Sequence, residues 1–388
     1  MSILVDYRLA AGVNAEKHAQ VIAVGQTAGT WSARFEHRRD HFEQHLATVQ
    51  KIQTQNDGSS LATIRFPTAN VENDIGSLLT MVFGKYSMAG TARVEDIRLP
   101  SDYGQMPGFG ITGIREQLDV YERPLVMAIF KPALGLSAQD HGDIFREVAQ
   151  AGIDIIKDDE ILGDLEGAPT LDRLKACRDA LETVSAQTGK NVLYAVNVTG
   201  RADRLLDRAH RLVEAGANAL LINVLSYGYG TLEALAAAPQ INVPIFAHPA
   251  LAGALCAAPD HGMSYPVVLG TLMAHAGADA VLYPAHYGSL PFPQETEMSI
   301  RDRLRNRNVL PVPSAGIHPG VVPLALADYG VDVVLNAGTG IMDHPDGPGA
   351  GTTAFFDALA QAQPGESFDL EQIEAGPLRR ALEKWGTP

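Results

Sequence analysis

Four short segments of the chain share one pattern of apolar and polar residues. In each, a helical spacing of apolar residues leads to a glycine and an Asp or Asn, and an apolar run follows. They read Ala151-Gly-Ile-Asp-Ile-Ile, Ala215-Gly-Ala-Asn-Ala-Leu, Ala276-Gly-Ala-Asp-Ala-Val and Tyr329-Gly-Val-Asp-Val-Val. The glycine is typical of a left-handed helix end, and the Asp or Asn is typical of a turn. The pattern therefore predicts helices that each lead into a buried parallel strand.

Eight apolar runs of strand length occur at spacings that leave room for one helix and its loops between successive strands. They lie near residues 125–130, 153–157, 192–197, 218–223, 243–248, 279–283, 309–314 and 332–337. Eight such repeats are the number found in a (β/α)8 TIM barrel, which we predict for residues 113–388. An open doubly wound sheet is the structural alternative.

Residues 1–112 show a different pattern. Residues 3–9, 32–35 and 61–67 resemble strands, whereas residues 15–24 and 75–83 have helical spacing. We therefore predict an α/β protein with an N-terminal α+β domain of the ferredoxin-like kind, followed by the barrel. The Pro- and Gly-rich residues 99–113 are the predicted linker.

Composition and charge narrow the possible partners of the chain. Its 388 residues are 46% hydrophobic and 19% charged, which favours a large core over disorder. The net charge of −15 argues against nucleic acid and anionic membrane surfaces as partners. No apolar run reaches the roughly 18 residues of a membrane span, and two cysteines fit a reducing compartment. We therefore expect a cytoplasmic protein.

The most informative motif is the charged end of the second predicted barrel strand. Lys157, Asp158, Asp159 and Glu160 follow directly on an apolar run. Parallel α/β folds build their sites at the carboxyl ends of strands, and Mg²⁺ prefers oxygen ligands. The residues alone leave three interpretations open: a surface salt-bridge cluster, a metal site, and a lysine that reacts with CO₂ to give an anionic carbamate.

Other polar or glycine residues follow the remaining strands, as a TIM-barrel site requires. They are Lys131, Asn197, Asn223, His248, Ser314, Gly316, Gly338, Thr339 and Gly340. Loops after the seventh and eighth strands of such barrels often bind phosphate through backbone N–H groups. Tight-turn geometry alone is the alternative explanation for the three glycines.

Three motifs, in this order and on these strands, resemble those of RuBisCO. They are Phe130-Lys-Pro-Ala-Leu-Gly135, Lys157-Asp-Asp-Glu160 and Ser314-Ala-Gly-Ile-His318, and the resemblance covers nearly the whole chain, including Gly29-Thr-Trp-Ser32 and Val94-Glu-Asp-Ile-Arg-Leu-Pro100. It implies a carbamylated Lys157 that binds Mg²⁺ with Asp159 and Glu160. It also implies a homodimer in which Thr30 and Trp31 of one subunit complete the site of the other, and it leaves assemblies of several dimers open.

The departures from the RuBisCO pattern are informative too. Where carboxylases carry cationic or histidine side chains, this chain has Ala133, Pro249, Leu282 and Ser289. Ser289 replaces the mobile lysine that stabilises the CO₂ adduct, so carboxylation loses its charge partner. The chain therefore resembles a RuBisCO-like protein that does not fix CO₂.

The phosphate sites differ in the same way. The site of Thr30, Trp31, Gly316, Gly338 and Gly340 is kept, whereas Pro249, Leu282 and Tyr283 replace the opposite one. This implies a substrate with one phosphate and a neutral tail, such as 2,3-diketo-5-methylthiopentyl-1-phosphate in methionine salvage.

Lys85 points to the same branch, because it is similar to the lysine that abstracts the proton in the methionine-salvage enolases. A partly desolvated lysine has a lowered pKa, as a general base requires. Lys131 and His248 are the other candidate catalytic residues.

Three functions follow from the resemblance. The first is Mg²⁺-dependent enolisation of the diketone phosphate. The second uses the same enolate to isomerise 5-methylthioribulose 1-phosphate or to decarboxylate a 3-oxo sugar-acid phosphate. The third is a non-catalytic binding or stress-response protein.

Overall fold

The N-terminal strands form an antiparallel sheet in the computed structural model, which describes residues 2–30, 32–90 and 92–387. The strands are β1 (Ser2–Leu9), β2 (Thr48–Thr54), β3 (Ser60–Pro67) and β4 (Ala92–Arg98), in spatial order β4-β1-β3-β2. The helices are α1 (Ala15–Gly25), α2 (Arg39–Glu43) and α3 (Ile75–Leu79). Because α1 follows β1 and α3 follows β3, the order is βαββαβ, and the predicted ferredoxin-like domain is confirmed.

Two details of that domain differ from the prediction. The strand predicted at residues 32–35 is wrong, since Ala33–Arg38 form a 3₁₀ helix and β2 lies further along the chain. β2 is an edge strand with mostly exposed residues, so its sequence lacks the apolar alternation that marks a half-buried strand. Helix α3 is shorter than predicted and continues as a π-helical turn over Thr80–Gly84.

The eight predicted barrel strands are all present, within two residues of their predicted bounds. They are β5 (Leu125–Ile129), β6 (Ile155–Lys157), β7 (Leu193–Asn197), β8 (Ala219–Asn223), β9 (Ile245–His248), β11 (Ala280–Pro284), β12 (Leu310–Ser314) and β13 (Val334–Ala337). They form one parallel sheet in which β12 and β13 lie side by side and close the barrel. The remaining strand, β10 (Gly262–Met263), lies between β9 and β11 in the sequence. It pairs in parallel with β4 and so extends the N-terminal sheet by one strand.

The barrel strands are connected and covered by helices. These are α4 (Gly110–Leu118), α5 (Ala138–Gln150), α6 (Thr170–Thr188), α7 (Leu205–Glu214), α8 (Val224–Tyr227), α9 (Tyr229–Ala237), α10 (Ala252–Cys256), α11 (Met273–His275), α12 (Gln294–Arg305), α13 (Val322–Tyr329), α14 (Thr339–Met342), α15 (Pro348–Gln361) and α16 (Pro377–Trp385). Short 3₁₀ or π turns cover Thr68–Asn70, Tyr86–Met88, Ala202–Arg204, Pro266–Leu272 and Pro319–Val321. No helix within these described ranges is both long and apolar enough to cross a bilayer.

Buried hydrophobic side chains form two clusters, and the smaller one fills the interior of the barrel. The barrel interior holds residues such as Leu125, Met127 and Ile155, and Ile114 and Leu118 of α4 pack into the same cluster. Helix α4 therefore belongs physically with the barrel, although it begins inside the predicted linker. The division of the chain at residue 112 stays a prediction.

The glycines of the repeated motif take the predicted backbone conformation. Gly152, Gly216, Gly277 and Gly330 have φ angles of 94°, 92°, 90° and 61°. Residues with a side chain rarely adopt this region, so glycine ends each helix and turns the chain toward the next strand. The turn lies at the amino end of each strand, so the candidate site residues that follow the strands lie at the opposite, carboxyl end.

Candidate active site

One cleft of about 370 Å³ at the carboxyl end of the barrel brings together most of the residues predicted from the sequence. Its walls include Lys131, Lys157, Asp159, Glu160, His248, Ser314, Gly316, Gly338 and Thr339. Strands distant in sequence supply these residues, as expected for a TIM-barrel site. Asn197, Gly340, Thr30 and Lys85 do not line this cleft within the chain.

Lys157 is the last residue of β6 and is fully buried. Its Nζ donates a 2.9 Å hydrogen bond to the Asp158 carbonyl and lies 3.9 Å from Glu160 Oε2. Burial lowers the pKa of Lys157 and outweighs the neighbouring carboxylates, which raise it. The neutral amine is the form of a lysine that reacts with CO₂.

Asp159 and Lys131 connect the ends of the first two barrel strands. Lys131 Nζ donates a 2.6 Å hydrogen bond to Asp159 Oδ2. Burial raises the pKa of Asp159, but the hydrogen bonds from Lys131 and the Ile161 N–H, with the charges of Lys131 and Lys157, leave the pKa below its ordinary value. Asp159 is therefore an anionic oxygen donor at neutral pH.

His248 lies opposite this pair. Its Nδ1 accepts a 3.2 Å hydrogen bond from the Ala250 N–H, and its Nε2 lies 3.5 Å from Glu160 Oε2. Burial and the charge of Lys157 lower the pKa of His248 to about 3, against the opposing effect of Asp159. The ring is neutral at pH 7, and the Nδ1 contact leaves its proton on Nε2, facing Glu160.

The third carboxylate of the motif has a structural role. Asp158 is fully buried and accepts hydrogen bonds from Arg173 Nη2 at 3.0 Å, Tyr194 OH at 2.6 Å and the Asn197 N–H at 3.0 Å. These three donors satisfy the hydrogen-bonding needs of the buried side chain. Asp158 thus braces the barrel wall and does not line the cleft.

The Asn197 side chain, like that of Asp158, is engaged in hydrogen bonds within the protein. Its Nδ2 donates to the carbonyls of Asp159, Glu160 and Leu162 at 3.1–3.2 Å, and its Oδ1 accepts from the Thr199 N–H at 3.0 Å. Its polar atoms are thus engaged with the loop that carries Asp159 and Glu160. The inclusion of Asn197 among the candidate substrate-binding residues stays a prediction.

The loops after β12 and β13 form another wall of the cleft. Gly316 is exposed with a φ of 96°, and an added Cβ on Gly338 would make an ordinary van der Waals contact with Lys131 Cε at 3.4 Å. Gly340 is buried, and a Cβ there would lie 2.3 Å from the Ile317 carbonyl oxygen. Gly340 therefore lets the two loops pack. Gly316 has a similar role, because an added Cβ would lie 2.6 Å from the Ser289 backbone nitrogen, and both Gly316 and Gly338 line the cleft.

Sequence reasoning missed Asn336 of β13. It is 2% exposed, lines the cleft, and donates a 2.9 Å hydrogen bond to Ser314 Oγ across the closure of the barrel. Its Oδ1 is buried and has no hydrogen-bond partner in the described part of the chain. The available signal was one polar side chain inside an otherwise apolar strand.

Part of the cleft lining carries no charge. Pro249, Leu282, Ser289 and Leu290 line the cleft, so three of the four residues that depart from the carboxylase pattern lie there, whereas Ala133 does not line it. The Ser289 N–H donates a 2.7 Å hydrogen bond to the Ala315 carbonyl, which ties this loop to the one after β12.

The N-terminal candidates lie apart from the barrel cleft of their own chain. Lys85 is exposed, its Nζ lies 5.9 Å from the Tyr86 ring centroid, and it shares a surface cleft with Gly29. Thr30, the next residue, is exposed and lines a larger cleft of about 1040 Å³. Lys85 and Thr30 therefore lie on one face of the N-terminal domain, and Trp31 lies outside the described residues.

The side chains in the cleft fit a magnesium ion if Lys157 carries a carbamate. Within the described ranges, no group of three His, Cys, Asp or Glu side chains is placed to hold a metal. Asp159 and Glu160 supply two carboxylates, and a carbamate on Lys157 would add the third anionic donor, since Lys157 Nζ lies within 3.9 Å of Glu160. Oxygen-only ligands of this kind suit Mg²⁺.

Comparison with known proteins places the chain in a family. Residues 110–309 and 301–385 match the ribulose bisphosphate carboxylase large chain catalytic domain, and residues 1–103 match its N-terminal domain. A protein of Microcystis aeruginosa named 2,3-diketo-5-methylthiopentyl-1-phosphate enolase is 64% identical over 386 residues, covering 100% of both chains.

Solved structures agree. A rubisco-like protein from Alicyclobacillus acidocaldarius superposes with a TM-score of 0.91 at 41% identity, covering 100% of both chains. A dimeric archaeal Rubisco from Hyperthermus butylicus gives 0.90 at 27% identity and covers 100% of this chain and 96% of its own. The chain belongs to the ribulose bisphosphate carboxylase large chain family, among the relatives that are named 2,3-diketo-5-methylthiopentyl-1-phosphate enolases.

Proposed function

We propose that this chain is a 2,3-diketo-5-methylthiopentyl-1-phosphate enolase that moves a proton and does not fix CO₂. One observation carries the proposal: a single cleft joins the cluster of Lys131, Lys157, Asp159 and Glu160 to a wall without charge. A substrate with one phosphate and a thioether tail matches such a cleft, whereas a bisphosphate would leave one phosphate without a cation. The names of the relatives favour the enolase over the isomerase and the decarboxylase.

The metal site of this proposal consists of Asp159, Glu160 and a carbamate on Lys157. Mg²⁺ bound there would act as a Lewis acid on the two carbonyl oxygens of the substrate. Burial of Lys157 favours its neutral amine, which supports carbamate formation. His248 directs its Nε2–H toward Glu160 and thereby orients that carboxylate.

The phosphate is placed at the loops after β12 and β13. Gly316 and Gly338 line the cleft, and at Gly338 no side chain stands between a phosphate and the backbone. Thr339 begins α14, where the first N–H groups of a helix have no intrahelical acceptor. This places the thioether tail toward Pro249, Leu282 and Leu290.

The proton transfer is assigned to Lys85 of a second subunit. Lys85 Nζ takes a proton from C1, electrons move into a C1–C2 double bond, and a proton returned to the C2 oxygen gives the enol. The exposed position of Lys85, away from the cleft of its own chain, supports a homodimer with shared sites. One of the matched structures is described as dimeric, which agrees with this assembly.

Deuterium exchange tests the proposal directly. With the diketone phosphate in D₂O, we expect enol formation and loss of the C1 proton signal by ¹H NMR, dependent on Mg²⁺. Ribulose bisphosphate with ¹⁴CO₂ should give no acid-stable label, because Ser289 replaces the lysine of carboxylases. Turnover of 5-methylthioribulose 1-phosphate without turnover of the diketone would overturn the assignment in favour of the isomerase.

A further inference from the structure

Two asparagines converge on one backbone carbonyl beside the cleft. Asn197, the last residue of β7, donates through Nδ2 to the Glu160 carbonyl at 3.1 Å. Asn223, the last residue of β8, donates through Nδ2 to the same oxygen at 2.9 Å. We infer that Asn197 and Asn223 are positioning residues that hold the loop 158–162 so that Asp159 and Glu160 can bind a cation. This inference rests on the metal site of the proposed function.

The orientation of both amides follows from their partners. Asn197 Oδ1 accepts from the Thr199 N–H at 3.0 Å, so its Nδ2 must face the loop carbonyls. Asn223 Nδ2 contacts the Glu160 carbonyl, which can only accept, and also Thr199 Oγ1 at 2.8 Å. Exchanging the amide oxygen and nitrogen of either residue would set two acceptors against each other.

Asn223 holds this orientation at a cost. It is 5% exposed, and its Oδ1 is buried with no hydrogen-bond partner among residues 2–30, 32–90 and 92–387. An unsatisfied buried acceptor is unfavourable, and an apolar residue would avoid it. The compensating gain is the bond to the Glu160 carbonyl, which implies that the position of this loop matters.

The loop needs such support because the sheet itself does not hold Asp159 and Glu160. Strand β6 ends at Lys157, so Asp159 and Glu160 lie outside the sheet. The Glu160 side chain is 36% exposed, and its carboxylate contacts are the side-chain nitrogens of Lys157 at 3.9 Å and His248 at 3.5 Å. Partners that orient metal ligands typically contribute 10–100-fold to metal affinity. We therefore expect the two asparagines to act on metal binding through the backbone, without touching the ion.

Asn218 provides a matched control at the opposite end of the same pair of strands. Its Oδ1 accepts from the Tyr194 N–H at 2.8 Å, and its Nδ2 donates to the Val192 carbonyl at 2.9 Å. It therefore bridges β7 and β8 through backbone hydrogen bonds, as Asn197 and Asn223 bridge strand ends to a loop. Loss of Asn218 should disturb the barrel but leave the loop 158–162 in place.

The test measures Mn²⁺ binding to the wild type and to three variants, Asn223→Ala, Asn197→Ala and Asn218→Ala. The free ion is quantified by EPR, with and without bicarbonate. We expect the bicarbonate-dependent Kd for Mn²⁺ to rise about 10–100-fold in the two loop variants and to stay near the wild-type value in Asn218→Ala. Trapping of ¹⁴CO₂ on Lys157 should fall in parallel with Mn²⁺ affinity. Asn223→Asp retains the side-chain shape without the N–H donors, and it should show the same loss if the alanine variant does not fold.

The outcomes separate this inference from the function it rests on. A wild type with no bicarbonate-dependent Mn²⁺ site would overturn the proposed metal site and the inference together. A wild type with the site and an Asn223 variant of equal affinity would overturn the inference alone. An equal loss in Asn218→Ala would also overturn it, because the effect would then come from general damage to β7 and β8.

Discussion

Lys131 Nζ lies 2.6 Å from Asp159 Oδ2, which joins the ends of the first two barrel strands by an ion pair. Asp159 is 2% exposed, whereas the Lys131 side chain is 40% exposed. The carboxylate thus depends on a cation that is itself partly in water. This ion pair therefore stabilises the cleft.

The first prediction concerns this ion pair. Lys131→Met should destabilise the metal-free protein by about 1–3 kcal/mol at pH 7, nearer the lower value because water screens Lys131. Asp159 has a pKa below its ordinary value of 3.8, so its contribution is present above that pH and is lost as the pH falls through the folded-state pKa. The difference between wild type and variant in urea unfolding with EDTA should therefore shrink below about pH 4.

An exposed ion pair of the same chemistry serves as the control. Lys175 and Asp179 form a 2.6 Å pair on α6 with both side chains mostly in water. Lys175→Met should change the free energy of unfolding by less than about 0.5 kcal/mol. Equal losses in the two lysine variants would show that burial of Asp159 is unimportant.

The second prediction is that CO₂ activates the enzyme through Lys157. The buried amine has a lowered pKa, so the fraction of neutral amine, and with it the rate of carbamate formation, should rise with pH. Preincubation with bicarbonate and Mg²⁺ should raise initial rates relative to a CO₂-free, EDTA-treated sample. Lys157→Met should be inactive and insensitive to bicarbonate, and full activity of the CO₂-free sample would contradict the carbamate.

The third prediction concerns Lys85. Lys85→Ala should lower kcat by about 10²–10⁴-fold, since it removes the group that accepts the C1 proton. KM should change little, because the cleft residues that hold the phosphate and the metal remain. Near-normal deuterium exchange at C1 in the variant would move the role of base to Lys131 or His248.

Mixing inactive variants tests whether the site is shared between subunits. If Lys85 of one chain serves the cleft of another, refolding Lys85→Ala together with Lys157→Met should restore part of the activity through mixed dimers. The double variant Lys85→Ala/Lys157→Met, mixed with either single variant, supplies no complete site and should stay inactive. No recovery in the first mixture would place Lys85 in the cleft of its own chain or outside the site.

The barrel could be predicted from the sequence because each of its strands is buried on both faces. Such strands appear as continuous apolar runs, and the glycines before them mark the helix ends. The exposed edge strand β2 lacks that signal and was not predicted, and the strand predicted at residues 32–35 was wrong. Lys157, Asp159 and His248 were found for a related reason, because they follow apolar runs that place them at one end of the barrel.

Other features of the site depend on contacts that spacing does not reveal. Asn197 ends a strand as predicted, but only the fold shows that its amide is bound to the loop after β6. Asp158 stands beside Asp159 in sequence, yet Arg173 and Tyr194 hold it outside the cleft. The position of Lys85 relative to a partner's barrel depends on the assembly, which a single chain does not contain.

Glu297 is another residue whose contacts could not be predicted from the sequence, and the last prediction concerns it. This carboxylate on α12 is fully buried and accepts hydrogen bonds from the backbone N–H of His286 at 2.5 Å, from His286 Nδ1 at 2.7 Å and from Tyr329 OH at 2.6 Å. His286 belongs to the loop after β11, three residues before Ser289 at the neutral wall of the cleft. The carboxylate thus anchors the loop in which carboxylases carry their mobile lysine.

We therefore predict that Glu297→Gln loosens the wall that receives the substrate tail. The glutamine keeps the size of the side chain but replaces one acceptor oxygen with a donor, so the hydrogen bond with the Tyr329 hydroxyl must reverse its direction. The bonds from His286 then go to a neutral amide oxygen in place of a carboxylate, and we expect a loss of about 1–3 kcal/mol. Amide hydrogen exchange should speed up at residues 285–290. KM should rise more than kcat falls, because in the proposed function Ser289 and Leu290 contact the substrate tail and take no part in the proton transfer. Glu295→Gln, an exposed change on the same helix, should leave both measurements at their wild-type values. Unchanged exchange at residues 285–290 in Glu297→Gln, despite a folded protein, would show that packing around Tyr287 holds the loop without the carboxylate.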